Sequence, residues 1–318
     1  MKETTRRDFL RGATGVAWAT LAAGRPVAAA QPVRAIDTHT HFYNPTRPQG
    51  VPWPPPGDTL LYQPHLPGQF GALTNRLGVV GTVVVEASAW VEDNQWILDL
   101  AKDHPLIVGF IGHLEPGQPE FAANLRRFSR NALFRGLRFG EQVIARGIGQ
   151  RAFEDDLRRM ADAGLALDVL GGAAMLPNVA QMAKLAPKLR FVIDHLPFDV
   201  WGQDVAAMRR TLAEVAALPN VYAKVSNVVR RMDGRVMDDP KFYRPGLDLL
   251  WELFGPDRAL YGSNWPVSNR VAPYESVHRV VADYVNSKGQ RVAEKFFWRN
   301  SLAAYRWQPR GEAKGLAL

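Results

Sequence analysis

Eight short runs of β-branched and apolar residues, each followed by an amphipathic stretch, constrain this chain more than any other feature. The runs are 33–42, 79–88, 106–115, 134–139, 166–170, 189–196, 220–226 and 259–264. Helical periodicity occupies 95–103, 121–130, 152–163, 176–185, 205–218, 247–254 and 274–287. Strands without polar alternation are buried on both faces, which requires a parallel sheet covered by helices. Eight such units predict a single α/β domain, a (β/α)8 barrel. A doubly wound sheet usually has fewer strands and a glycine-rich phosphate turn after the first, and no such turn follows Phe42. The segment 43–69 is long and proline-rich, with Pro52, Pro54, Pro55 and Pro56 around Trp53, and reads as a loop walling a site at the first strand's end. A further helix over 291–307, carrying Phe296, Phe297, Trp298, Tyr305 and Trp307, packs against the barrel or a second copy, and 311–318 reads as a frayed tail.

The first 30 residues stand apart. Thr5-Arg6-Arg7-Asp8-Phe9-Leu10-Arg11 has the twin-arginine pattern, 13–24 is a modest apolar stretch, and Ala28-Ala29-Ala30 offers the small residues a signal peptidase needs. Residues 1–30 are therefore expected to be a twin-arginine signal peptide, 31–310 the barrel, and the protein periplasmic. The apolar stretch is too short to span a bilayer stably, so no membrane span is expected in the mature form. Of the net charge of +8, five basic and two acidic residues lie in 1–30, leaving +5 spread thinly over the rest. No basic run interleaved with aromatics supports nucleic-acid binding. The absence of cysteine excludes disulfides, thiolate metal sites and a cysteine nucleophile. A small-molecule substrate is the expected partner.

Ionisable residues recur where the apolar runs finish. Ile36-Asp37-Thr38-His39-Thr40-His41-Phe42 places two histidines on one face of the first strand, since residues i and i+2 point the same way. The pair can ligate one metal, orient one substrate carbonyl, or hydrogen-bond within the core. The other runs deliver Glu86, His113-Leu114-Glu115, Gly136-Leu137-Arg138, Asp168, Asp194-His195-Leu196-Pro197, Lys224-Val225-Ser226 and Gly262-Ser263-Asn264-Trp265-Pro266. The C-terminal strand ends of such barrels carry the chemistry. A buried ionisable group there must be paired or functional.

The His-x-His of the first strand, Gly-Leu-Arg of the fourth, Asp-His-Leu of the sixth, Lys-Val-Ser of the seventh and Tyr-Gly-Ser-Asn-Trp-Pro of the eighth resemble, in order and spacing, the amidohydrolase-related family of the amidohydrolase superfamily. The resemblance covers the mature chain and is nearest to the branch of sugar-lactone and dicarboxylate-lactone hydrolases. It implies a distorted TIM-like barrel that hydrolyses a lactone or related cyclic ester of a sugar acid or small carboxylate. It also implies His39, His41 and His195 as carbonyl-orienting groups or as ligands of one divalent metal such as zinc, with metal-independent catalysis the alternative. Arg138 is implied as a clamp on a substrate carboxylate or oxyanion, for which a planar fork of donors is suited, against a structural ion pair with Glu86 or Asp168. Lys224 pairs with a substrate carboxylate or with Asp168, and Trp53 and Trp265 complete the substrate-binding set.

Two departures from the family pattern matter. Members with two metals carry a lysine or glutamate bridge on the fourth strand and a histidine on the fifth; Arg138 and Asp168 stand there instead, which argues against a binuclear centre. The family's water-activating aspartate on the eighth strand is Asn264 here, and an amide takes no proton at neutral pH, although it can orient water or a substrate hydroxyl. Glu86, Asp168 or a histidine is then left as base. A metal-dependent decarboxylase, and a ligand-binding barrel that has lost its base, are the alternatives to a lactone hydrolase. His65, His104 and His113 lack comparable support.

Overall fold

The computed structural model describes residues 33–195 and 205–316; residues 1–30, expected to be a signal peptide, and Leu196-Pro197 lie outside the described residues. Eight parallel strands follow one another in chain order: β1 (Ala35–Thr40), β2 (Val79–Val85), β3 (Ile107–Gly112), β4 (Phe134–Gly140), β5 (Ala166–Leu170), β6 (Arg190–Ile193), β7 (Val221–Val225) and β10 (Ala259–Tyr261). An antiparallel hairpin, β8 (Arg230–Met232) with β9 (Arg235–Met237), is inserted between the last two. The barrel strands are buried on both faces, as in β2 where all seven residues are buried, because helices cover the outside and side chains fill the inside.

The barrel closes just beyond β10. Asn264 N donates to His39 O and His41 N to Trp265 O, both at 2.8 Å. Asp37 pins this seam: Oδ1 accepts from His39 N at 3.0 Å and Ser263 N at 2.9 Å, and Oδ2 accepts from Tyr274 OH at 2.9 Å. Glycine at 262 is required for the approach, since a Cβ there would stand 2.8 Å from the Cβ of His39.

Six strands, β1, β2, β3, β6, β7 and β10, are shorter than their apolar runs predict. β6 stops at Ile193 and β10 at Tyr261, shortly before His195 (φ 63°) and Asn264 (φ 66°) enter the left-handed region. Histidine and asparagine tolerate that region better than most residues. The helix predicted to start at 247 starts instead at Pro240, where Asp239 caps the backbone N–H of Lys241 at 2.9 Å; Pro245 inside it hides the start from a sequence reading. The long loop folds back across the barrel mouth, with Tyr43 and His65 exchanging backbone hydrogen bonds of 3.0 and 2.9 Å, and it runs into an unpredicted helix, Pro67–Thr74.

The last helical stretch settles on the barrel. It runs as α-helix (Gln290–Glu294), π-helix (Lys295–Arg299) and α-helix (Asn300–Tyr305). Trp298, Tyr305 and Trp307 join the inward-facing Ile36, Val83, Val108 and Val192 in one apolar cluster that fills the barrel from its lower end. The expected frayed tail is instead, over Gly311–Leu316, a 3-10 helix whose Ala313 and Leu316 enter the same cluster. These small apolar side chains fit the closing layer.

Truncating this plug should unfold the barrel more readily than truncating its surface. Trp307→Ala is expected to cost about 3–5 kcal/mol in denaturant unfolding. Leu73→Ala, at a 43% exposed position, is expected to stay within about 0.5 kcal/mol of the parent.

Candidate active site

A cavity of about 460 Å³ opens at the C-terminal ends of the strands, lined by His41, Trp53, Glu86, Arg138, His195 and Asn264 together with Leu170 and Val267. This volume suits a small-molecule ligand. Trp53 arrives from the long loop, its ring 6.1 Å from that of His41 and 5.4 Å from that of Tyr43, so the loop does form a wall.

Beneath the cavity lies a fully buried charge cluster. Lys224 Nζ stands 2.5 Å from Asp168 Oδ2 and 2.9 Å from Asp194 Oδ1, and Tyr305 OH donates to Asp168 Oδ1 at 2.8 Å. His39 Nδ1 is 3.4 Å from both Asp194 Oδ1 and Lys224 Nζ. Burial would raise both carboxyls; Lys224 overrides it at Asp194, which is held well below the usual range, while burial pushes Asp168 up to about 7. Burial also holds all three histidines neutral, His39 well below its ordinary value and His41 and His195 at about 4. Lys224, not neutral His39, therefore carries the countercharge.

The two histidines of the first strand share a face, with ring centroids 5.0 Å apart, but they part in role. His41 Nδ1 lies 3.0 Å from Val85 O and 3.2 Å from Glu86 O, and carbonyls only accept, so Nδ1 carries the proton. Nε2 is then an acceptor, and Asn264 Oδ1 stands 3.2 Å away, so the two bond only with the Asn264 amide turned to present its NH2 group. Of the expected ligand set, His39 and His195 gather with Asp194, and His41, its Nε2 unprotonated, stands beside them at the cavity. His39 Nε2 and both oxygens of Asp194 are buried without a hydrogen-bond partner among the described residues, the Lys224 contact being an ion pair without hydrogen-bond alignment. Ligating atoms of His39, Asp194 and His195 all lie within 4.8 Å of one another. Unpartnered polar atoms at this depth are costly unless something binds them, and two neutral imidazoles with a carboxylate fit one divalent cation.

Other expected site residues settle on the structural alternative weighed for them or turn away from the cavity. Arg138 donates from Nε to Glu86 Oε1 at 2.9 Å and from Nη2 to Glu86 O at 2.9 Å, the ion pair weighed as the alternative to a clamp, yet both residues line the cavity. Asp168 and Lys224 do not line it; each has a fully buried side chain and they pair with one another. Trp265 is 4% exposed and packs on Phe42, Phe70 and His65 behind the wall, so it holds the loop and does not face the cavity. Sequence reasoning passed over three contributors. Asp194 was visible only as the partner of His195 in a motif, Ser226 holds His195 Nδ1 at 2.9 Å, and Asp37 was an acid inside an apolar strand.

Side chains from six strand ends converging on one cavity at the C-terminal mouth mark a barrel enzyme. The chain belongs to the amidohydrolase family, whose family model matches residues 36–307. It is 30% identical over 237 residues to an L-fucono-1,5-lactonase of Burkholderia ambifaria, spanning 73% of this chain and 80% of that one. A second L-fucono-1,5-lactonase, from Burkholderia multivorans, is 28% identical over 84% of this chain and 94% of its own length. An amidohydrolase from Burkholderia multivorans crystallised with bound zinc superposes with a TM-score of 0.75 and 25% identity, covering 86% of this chain and 99% of the other.

Breaking the floor one charge at a time should be expensive. Lys224→Met strands two carboxylates and is expected to destabilise the fold by about 3–5 kcal/mol in denaturant titration, part of it recovered in Lys224→Met/Asp168→Asn.

Proposed function

We propose that this enzyme opens the ring of a sugar-acid lactone with water. The observation that carries the reading is the cavity that brings His41, Glu86, Arg138, His195 and Asn264 together beside an aromatic wall. Among the described residues its two charged lining residues, Glu86 and Arg138, neutralise each other, which favours an uncharged hydroxylated ring over a dicarboxylate. Trp53 offers a flat apolar face against such a ring, and the amide of Asn264 can bond to a hydroxyl. The named relatives act on sugar lactones, which supports hydrolysis above decarboxylation.

Ring opening needs a polarised carbonyl, an activated water and a proton for the departing oxygen. His39, Asp194 and His195 fit a divalent ion, zinc by the nature of the N,N,O donors, and such an ion would supply Lewis-acid polarisation. Lys224 keeps Asp194 in its charged, ligating form. Ser226 fixes which nitrogen of His195 is left for the cavity side, and Arg138 holds the Glu86 carboxylate in place at the rim.

Export by the twin-arginine route to the periplasm is part of the same reading, supported by Arg6-Arg7 and Ala28-Ala29-Ala30. No helix among the described residues is long and apolar enough to cross a membrane.

A panel of aldonolactones and carboxylated lactones, assayed by proton release with and without chelator, tests the activity. Turnover of uncharged sugar lactones is expected, lowered at least tenfold by metal removal and restored by zinc; a protein inert on every lactone would refute the reading. Arg6→Lys/Arg7→Lys is expected to leave the chain in the cytoplasm, read by cell fractionation.

A further inference from the structure

We infer that Glu86 is the general base of the ring-opening step, performing from the end of β2 what an amide at position 264 cannot. The inference rests on the lactonase reading above. Among the described residues four carboxylates stand at or beneath the site, and three are disqualified by position. Asp37 is bound up in the strand seam, Asp168 by Lys224 and Tyr305, and Asp194 by the Lys224 ion pair beneath the floor. None of these three lines the cavity, and Glu86 does.

The geometry around Glu86 suits the task. Arg138 directs Nε at 2.9 Å and Nη2 at 2.8 Å to the same oxygen, Oε1, and leaves Oε2 with its lone pairs. A third bond, from Arg138 Nη2 to the Glu86 carbonyl at 2.9 Å, locks the side chain against its own backbone. A base held in one rotamer at a cavity wall needs little reorganisation to meet a water there. Asn264 also lines the cavity beside His41, and its amide offers a donor and an acceptor to that water or to a substrate hydroxyl.

Glu86 Oε2 takes a proton from water as the water oxygen bonds to the lactone carbonyl carbon, and the carbonyl π pair moves to oxygen. The pair returns, the ring C–O bond breaks, and the departing alkoxide takes the proton held by Glu86. Lactone and water become a hydroxy acid, which ionises into solvent.

Steady-state kinetics on a lactone that the wild-type enzyme opens tests the assignment. Glu86→Gln keeps the size of the side chain and an acceptor for Arg138; it is expected to lose about 10²–10⁴-fold in kcat with KM within a few-fold. Glu86→Ala is expected to regain at least tenfold of its lost rate in added formate, whereas Asp168→Asn gains nothing from formate. Thermal melts of each variant accompany the rates, and Glu86→Asp, which retains the carboxylate one methylene back, is expected to fall between wild type and Glu86→Gln. A Glu86→Gln enzyme within fivefold of wild-type kcat, or a folded Glu86→Ala enzyme that formate does not restore, overturns the assignment and leaves the lactonase reading standing. A wild-type enzyme that opens no lactone overturns the hydrolase reading, and this assignment with it.

Discussion

The short seam between β10 and β1 is the constraint on which the rest depends. A barrel must close with a fixed stagger, and here the closing hydrogen bonds come from backbone that also carries His39, His41 and Asn264. Burial pushes the Asp37 carboxyl up to about 6, yet it accepts from both strands at once and from Tyr274, so one side chain sets the register of the join. Closure of the fold and assembly of the site are consequently a single event. A shift of one residue at the seam would move His39 and His41 to the outer face.

The floor explains how so many ionisable groups share a dry interior. One ammonium balances two carboxylates of which one is pushed towards its neutral form, so little net charge is buried. Buried ion pairs are poor sources of stability, and a barrel of Val and Leu would fill the space as well. What the cluster supplies is a fixed field under the reacting atoms, where a low dielectric magnifies it. Asp194 faces both ways, pairing Lys224 on one side and completing the His39 and His195 donor set on the other. The affinity of that set for a cation and the charge of the floor are therefore governed by the same ammonium.

The strand order and the strand starts were legible because both-faced burial leaves long apolar runs, and in β4 and β5 the ends were legible too. Elsewhere the strands stop short of the runs, before the residues such as Glu86, Asp194-His195 and Ser263-Asn264 that carry the site, since the turn out of a strand leaves no mark on hydrophobicity. The site was legible as a set of strand ends but not as an arrangement. Alternation placed His39 and His41 on one face, yet nothing in their spacing says that one faces a charge cluster and the other two carbonyls. Asp168 and Lys224 read like cavity residues for the same reason: a charge at a strand's end looks alike whether it points up to solvent or down to Tyr305, and Tyr305 lies 137 residues away in sequence.

The C-terminal plug has a kinetic meaning. β1 finds its second neighbour only when residues near 264 arrive, and Asp168 finds its phenol only when residue 305 does. Both contacts span much of the chain, and loops of that size close slowly. Until then the inner ends of the strands are open and apolar, the state in which chains of this kind stick to one another. The final turns thus serve as a latch that ends a vulnerable period, and the phenol of Tyr305 reports at the heart of the site that the latch is shut.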